Sequence, residues 1–292
     1  PALAMNVACS QQALVDAINA ANSAGGGTLD LARGCDYQLT SSPDDSENGL
    51  PPITTPITID GNDATIDGTG SFRDFEVDGP GGALAAHDLT ITGGFAQDFG
   101  GGIANIGGAV TLQHTRVTGN SAGSAGGGIA NATFDPSSPA TLTLDHSSVS
   151  DNQQTFGPDN ENALGGGGIV NVLGTVTLDH SQVNGNDAEG FVGGEIASGD
   201  YFGFAESGSV LTLDHSQVNG NTAPNAGGGG IQNLLGSATI DHSRVNGNTS
   251  LNGGGIASGN AGAPDLTAHL VVKHSQVNRN TATAGPGGEG PP

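Results

Sequence analysis

Residues 165–186 read GGGGIVNVLGTVTLDHSQVNGN: a glycine run, a strand opened by Ile169, a second alternating strand, then His180 and, six residues on, Asn186. The His-to-Asn block is written six times, as HTRVTGN (114–120), HSSVSDN (146–152), HSQVNGN (180–186), HSQVNGN (215–221), HSRVNGN (242–248) and HSQVNRN (274–280). All but the last are followed by a glycine run and an isoleucine, at Ile129, Ile169, Ile196, Ile231 and Ile256, and Ile103 opens the series. Val176, Leu178, Ser181 and Val183 alternate with Thr177, Asp179, Gln182 and Asn184, a period of two that marks strands with an inward and an outward face. Gly and Asn at fixed offsets supply the corners. A unit of about 25–40 residues with no core of its own must stack on its copies. The expected architecture is therefore an all-β solenoid whose coils rise by about 4.8 Å each. Ile, Leu and Val would fill its interior, and the block Asn residues would bond to their equivalents above and below.

Gly-Gly-Gly-Ile-x-Asn followed by Thr-Leu-Asp-His-Ser-x-Val-x-Gly-Asn resembles the right-handed parallel β-helix of the pectin-lyase-like superfamily. It is similar in particular to the Gly-rich repeats of bacterial surface proteins of the polymorphic outer-membrane type. The resemblance covers about residues 28–282 and implies the fold. It implies less about function, because such helices serve as lyases, hydrolases, adhesins and scaffolds, and function lives in a site, not in a fold.

Three segments are expected. Residues 1–27 hold an N-terminal segment with a capping helix over Ser10–Asn22: Ser10 suits the N-cap, Leu14, Ala17, Ile18 and Ala21 share one face, and Gly25–Gly27 stop it. Residues 28–282 form the helix of strands, irregular up to residue 94, with strand candidates Thr28–Leu31, Pro56–Asp60, Ala64–Asp67, Phe72–Val77 and Ala86–Thr92. Ser41–Pro52 reads as a polar surface loop, and residues 283–292 as a disordered Gly/Pro-rich tail. Cys9 and Cys35 flank the capping helix. Bridged, they would close a loop worth roughly 3 kcal/mol; the alternative is two buried thiols, and the extracellular setting that the resemblance implies favours the bridge. The residues ahead of the helix do not read as a leader, so a mature form is expected, and no apolar run is long enough to span a bilayer.

Among 292 residues, 29 are acidic and 6 basic, a formal net charge of −23, and Lys273 is the only lysine. That field disfavours nucleic acid and anionic membrane. It suits hard cations, so Ca²⁺ is the one ion considered, although the reading requires no cofactor.

The corners vary unequally. From Ile to the next His the separation runs 11, 17, 11, 19, 11, 18, and from Asn to the next Ile 9, 17, 10, 10, 8. Insertions thus cluster at Ala132–Pro139, Gln153–Leu164, Gly199–Gly208 and Gly259–Leu266, on both sides of the Gly-rich strand. They would wall one face, whose floor is read as Ala104, Ala130, Val170, Ala197, Gln232 and Ala257 with Glu195 as its one charged residue. Phe95, Phe99, Phe134, Phe156, Phe191, Tyr201, Phe202 and Phe204 fall in the wall segments, together with Asp135, Asp159, Glu161, Asp187, Glu189, Asp200 and Glu206. Rings that stack on sugar faces beside carboxylates that accept from hydroxyls are the lining of a carbohydrate site; small satellite cores under the loops are the plainer alternative.

The expectation is a secreted or cell-surface monomer that engages a polysaccharide or oligosaccharide through Phe134, Phe156, Phe191, Tyr201, Phe202, Phe204 and Gln232. One alternative is a glycosidic-bond-cleaving enzyme with Glu195 paired to Asp200 or Asp159. A polysaccharide lyase fits less well, since none of the six basic residues falls in the walls. The other alternative is a non-catalytic scaffold or adhesin. The block histidines, mostly preceded by Asp, are expected to stack along the axis as a structural ladder, and no metal ligand is assigned, because a linear array lacks the convergence that zinc sites need.

Overall fold

In the computed structural model, which describes residues 3–44, 46–133, 135, 137–155, 164–190, 193–200, 208–259 and 267–283, the chain is a right-handed parallel β-solenoid of about 8 turns with one helix. A regular coil has four short strands, for example Thr175–Asp179, Gln182–Asn184, Asp187–Ala188 and Ile196–Gly199. The first two kinds belong to a 17-stranded sheet, and the others form two 7-stranded sheets. Among the described residues every pairing is parallel, and apart from register shifts at Asp60/Ala64 and Ala223/Gly227 the coils stack in register, so Leu144, Leu178, Leu213 and Ile240 form one column and Ile103, Ile129, Ile169, Ile196 and Ile231 another. All of these are buried in one continuous core. Val176, Leu178, Ser181 and Val183 point inward as the alternation requires.

The corners explain the repeated residues. Each block His has φ between 45° and 49°, the left-handed region that Asn, Asp and His tolerate better than most residues. In the glycine run, the first Gly is also left-handed, as at Gly126 with φ 63°. The second has no room for a side chain: a Cβ on Gly101, Gly127 or Gly167 would overlap the backbone carbonyl of Ser121, Gln153 or Asp187. Asn after Asn then closes the corner. The side-chain Oδ1 of Asn186 accepts from both the backbone N–H and the Nδ2 of Asn152, at 3.0 Å each, and the pattern runs unbroken from Asn120 to Asn280. A second ladder of Asn105, Asn131 and Asn171 continues into Ser198.

At the N-terminus, helix α1 (Gln11–Ala24) is capped by Ser10 and stopped by Gly25 in the left-handed region. Leu14, Val15, Ala17, Ile18 and Ala21 are buried against the first coils. The cap is not purely helical, because Leu3–Val7 pairs in parallel with Gly27–Leu31 and so begins the first coil before the helix. Cys9 and Cys35 are bridged. The polar loop crosses the cap: Gln11 Nε2 donates to the carbonyls of Ser41 and Gly49, and Asn22 Nδ2 to that of Pro52. Two early readings change. The two strand candidates Pro56–Asp60 and Ala64–Asp67 are one strand, Pro56–Asp67, bulged at its middle, with Asn62 and Asp63 left-handed. A strand at Asp36–Gln38, around the fully buried Tyr37, was not expected. Among the described residues no helix is long and apolar enough to cross a membrane.

Candidate functional site

The Ile-bearing strands turn one residue in and the next out. Outward residues on an open floor would be exposed, but Ala104, Ala130, Val170 and Ala197 are all buried, and only Gln232 and Ala257 are half-exposed. Ala130, Val170 and Ala197 belong to a second apolar cluster with Ile106, Ala132 and Val172 of the same strands and the adjoining Leu173, and Ala125, Phe99 and Leu164 pack onto it from the segments that enter those strands. Parallel bridges Phe99–Ala125 and Ala125–Gly165 tie those segments from coil to coil. The small-residue face is thus buried from Ala104 to Ala197 and half-exposed at Gln232. The Oε1 of Gln232 is buried without a hydrogen-bond partner.

Glu195 precedes Ile196 in register with glycines of neighbouring coils. A Cβ at Gly168 in the same column would face Val183 and the Asn186 amide, which means this position points into the coil. Glu195 is accordingly fully buried, and neither carboxylate oxygen has a hydrogen-bond partner. Burial pushes its carboxyl well above the usual range, and the charge of Asp187 pushes the same way. The nearby N–H groups of Gly168, Ala188 and Thr222 pull against it without reaching hydrogen-bond geometry. Asp187 is itself raised, by burial first and then by Glu189. Asp200, four residues beyond Ile196, is also buried. Asp159, Phe134, Phe156, Phe191, Tyr201, Phe202 and Phe204 lie outside the described residues.

Sequence reasoning missed a twin of Glu195. Asp74 precedes Phe75, which pairs with Ile103, so Asp74 occupies the same column. It too is fully buried, with both oxygens unpartnered, and burial together with the Asp67 charge holds its carboxyl far above the ordinary value. The signal was present in the Asp-Phe pair standing where Gly-Ile stands later, but the irregular early coils hid the register. Arg73 lies outside the insertions and reaches the backbone of Phe99 and Gly100. It is buried, donating to the carbonyls of Phe99 and Gly100 and to Asn48 and Glu76, all of it spent on holding the early loops.

Two concavities lie elsewhere. One, of about 430 Å³, is an acidic groove on the first coils lined by Asp30, Asp60 and Asp88; the other, of about 480 Å³, lies beside α1.

The invariant corner carries an exposed array. An outward column runs Asn6, Asp30, Asp60, His87, Gln113, Asp145, Asp179, Asp214, Asp241, Lys273 along the solenoid. Beside it the block histidines stack as expected: the pairs from His146 to His242 have centroids 4.8–4.9 Å apart and planes within 2°. Each of His146, His180, His215 and His242 sets Nδ1 against the Oδ1 of its preceding Asp at 2.6–3.0 Å. Asp145 is held below the usual carboxylate range by Gln113 and then by His146.

No protein-family model matches the chain, and no curated protein matches it.

Proposed function

We propose that this protein is a secreted or cell-surface β-solenoid that engages an extracellular polysaccharide or oligosaccharide at the Gly-rich strand, acting as a monomer. The observation that carries the reading is the change along the outward face of the Ile-bearing strands: its residues are buried in an apolar cluster from Ala130 to Ala197 and half-exposed from Gln232 on, and the Ile-to-His insertions of the sequence follow directly on these strands. A cleft between successive loops on a stack of equivalent coils suits an elongated, repeating ligand. The resemblance to pectin-lyase-like helices supports the same class of ligand.

A glycan array with and without Ca²⁺, followed by the double variant Tyr201→Ala with Phe202→Ala, tests it. Binding should be found and should weaken at least tenfold in the variant, with the far-UV circular dichroism unchanged. No ligand on the array, or equal binding by the variant, would favour the scaffold or adhesin reading, which the apolar sealing of the face also supports. Cleavage would need Glu195 with Asp200 or Asp159. A carboxyl held well above its usual range suits a general acid, yet it points into the coil, so reaching a substrate demands that the coil itself open at that corner. Release of reducing ends, lost in Glu195→Gln, would decide for hydrolysis; unsaturated products would decide for a lyase.

A further inference from the structure

From His146 to His242 the Asp–His ladder is regular, and its departure at the last step has a cause in the sequence. In the final described coil the Asp column holds Lys273 in place of a carboxylate. His274 therefore lacks an acidic partner of its own. Its ring tilts by 20° from that of His242, closes to 4.6 Å between centroids, and sets Nδ1 3.0 Å from the Oδ1 of Asp241. His242 also sets Nδ1 3.0 Å from that same oxygen. Two imidazole nitrogens and one carboxylate oxygen thus converge, all within 4.8 Å of one another.

We infer that Asp241, His242 and His274 form a binding site for one borderline divalent cation of the Zn²⁺, Ni²⁺ or Cu²⁺ class. Imidazole nitrogen with carboxylate oxygen is the donor set that these ions prefer. Bonds of about 2.0–2.2 Å in tetrahedral geometry put ligand atoms about 3.4 Å apart. The two N···O separations need to open only by a few tenths of an ångström, and the two rings to close toward each other by side-chain rotation. The ion takes the place of the protons shared between Asp241 and the imidazoles. With side chains between one third and two thirds exposed, water completes the shell.

The regular part of the ladder does not compete well. Asp214, His215 and His242 also come together, but there His242 would have to abandon Asp241. The two groups share His242, so the expected stoichiometry is one ion per chain and not one per coil. From His146 to His215 each imidazole is matched to its own carboxylate, and parallel rings aim their nitrogens alongside one another instead of at one point.

The test is Zn²⁺ titration of the whole chain by isothermal calorimetry, with Cu²⁺ as a spectroscopic probe, on the parent protein, His274→Ala, Asp241→Asn and His146→Ala. The expected result is one Zn²⁺ per chain. Affinity should fall at least tenfold in His274→Ala and Asp241→Asn and stay within twofold in His146→Ala, with nitrogen hyperfine structure from two imidazoles in the Cu²⁺ spectrum. No Zn²⁺ binding, several equivalent ions per chain, or equal loss in His146→Ala would each overturn the inference. Circular dichroism confirms that the variants are folded, and the readout does not depend on any carbohydrate ligand.

Discussion

Replacing Asn186 by Ala removes one rung from the buried ladder, and the structure says what is left behind. Its Oδ1 accepts from the backbone N–H and the Nδ2 of Asn152, and its Nδ2 donates to the Val149 carbonyl at 3.1 Å and to Asn221 Oδ1 at 3.2 Å. After truncation, Asn152 Nδ2 keeps the Val117 carbonyl and Asn221 Oδ1 keeps the Asn186 N–H. The Asn152 N–H keeps nothing. An orphaned buried donor costs about 1–3 kcal/mol, and the loss of second bonds at its neighbours adds about 0.5–1.5 kcal/mol, so about 1.5–4.5 kcal/mol is expected. The control is Asn184→Ala. Asn184 also bridges coils, through Asn219 N–H to its Oδ1, but it is half-exposed and water replaces it, so less than about 1 kcal/mol is expected. Urea unfolding followed by circular dichroism, read as a shift in midpoint at constant slope, gives the comparison. Hydrogen exchange should show the Asn152 amide losing protection. Equal stabilities of the two variants, or an Asn186→Ala protein as stable as the parent, would refute the ladder as a source of stability.

Glu195→Gln should flatten the pH dependence of stability: a carboxyl raised in the fold contributes fully below its ordinary value of 4.5 and loses that contribution as pH climbs toward the raised native value, because the unfolded chain releases the proton first. Melting temperatures from pH 4 to 8 check this, and Asp74→Asn should act in the same direction; parallel curves for parent and variants would contradict it. Gly127→Ala places a methyl against the Gln153 carbonyl at a non-left-handed φ, so the cost is steric and about 3 kcal/mol or more, measured by urea unfolding. Replacing both Cys9 and Cys35 by Ser should cost roughly 3 kcal/mol for a loop spanning 26 residues, seen as a lower melting temperature that reductant no longer changes.

How much of this was legible in the sequence depends on which physical constraint a residue answers to. The inward columns were readable because Val176, Leu178 and Val183 obey a strict period of two, and the Asn corner because its spacing never changes. Tyr37 was missed because its strand, Asp36–Gln38, is too short to show a period. Asp60-Gly61-Asn62 has the composition of a turn, yet its residues serve a bulge inside a strand. Glu195 was taken for the one charge on an outward floor because side-chain direction was assigned by alternation from Ile196. Alternation fails at that corner, where the chain bends and two successive positions face inward, and glycine elsewhere in the column leaves no side chain to betray it. The wall aromatics were identified by composition alone, and composition carries no geometry.

The two faces of a coil are set apart by what their outward residues do. On the face that carries Thr177 and Asp179, these outward side chains are polar and half-exposed, and Asp179 is set against its own His180, so nothing is gained by covering them. On the Ile-bearing face they are Ala and Val, buried beneath Ala125 and Leu164. Left bare, that strip would be a continuous apolar stripe. Covered, it becomes a second apolar cluster beside the interior of the solenoid. Insertion length changes from coil to coil, as the 11-to-19-residue spread of the Ile-to-His separation shows, without disturbing the register of a single ladder. The coil supplies rigidity and spacing, and the variable segments beside the Ile-bearing strands are where chemistry can differ from one turn to the next.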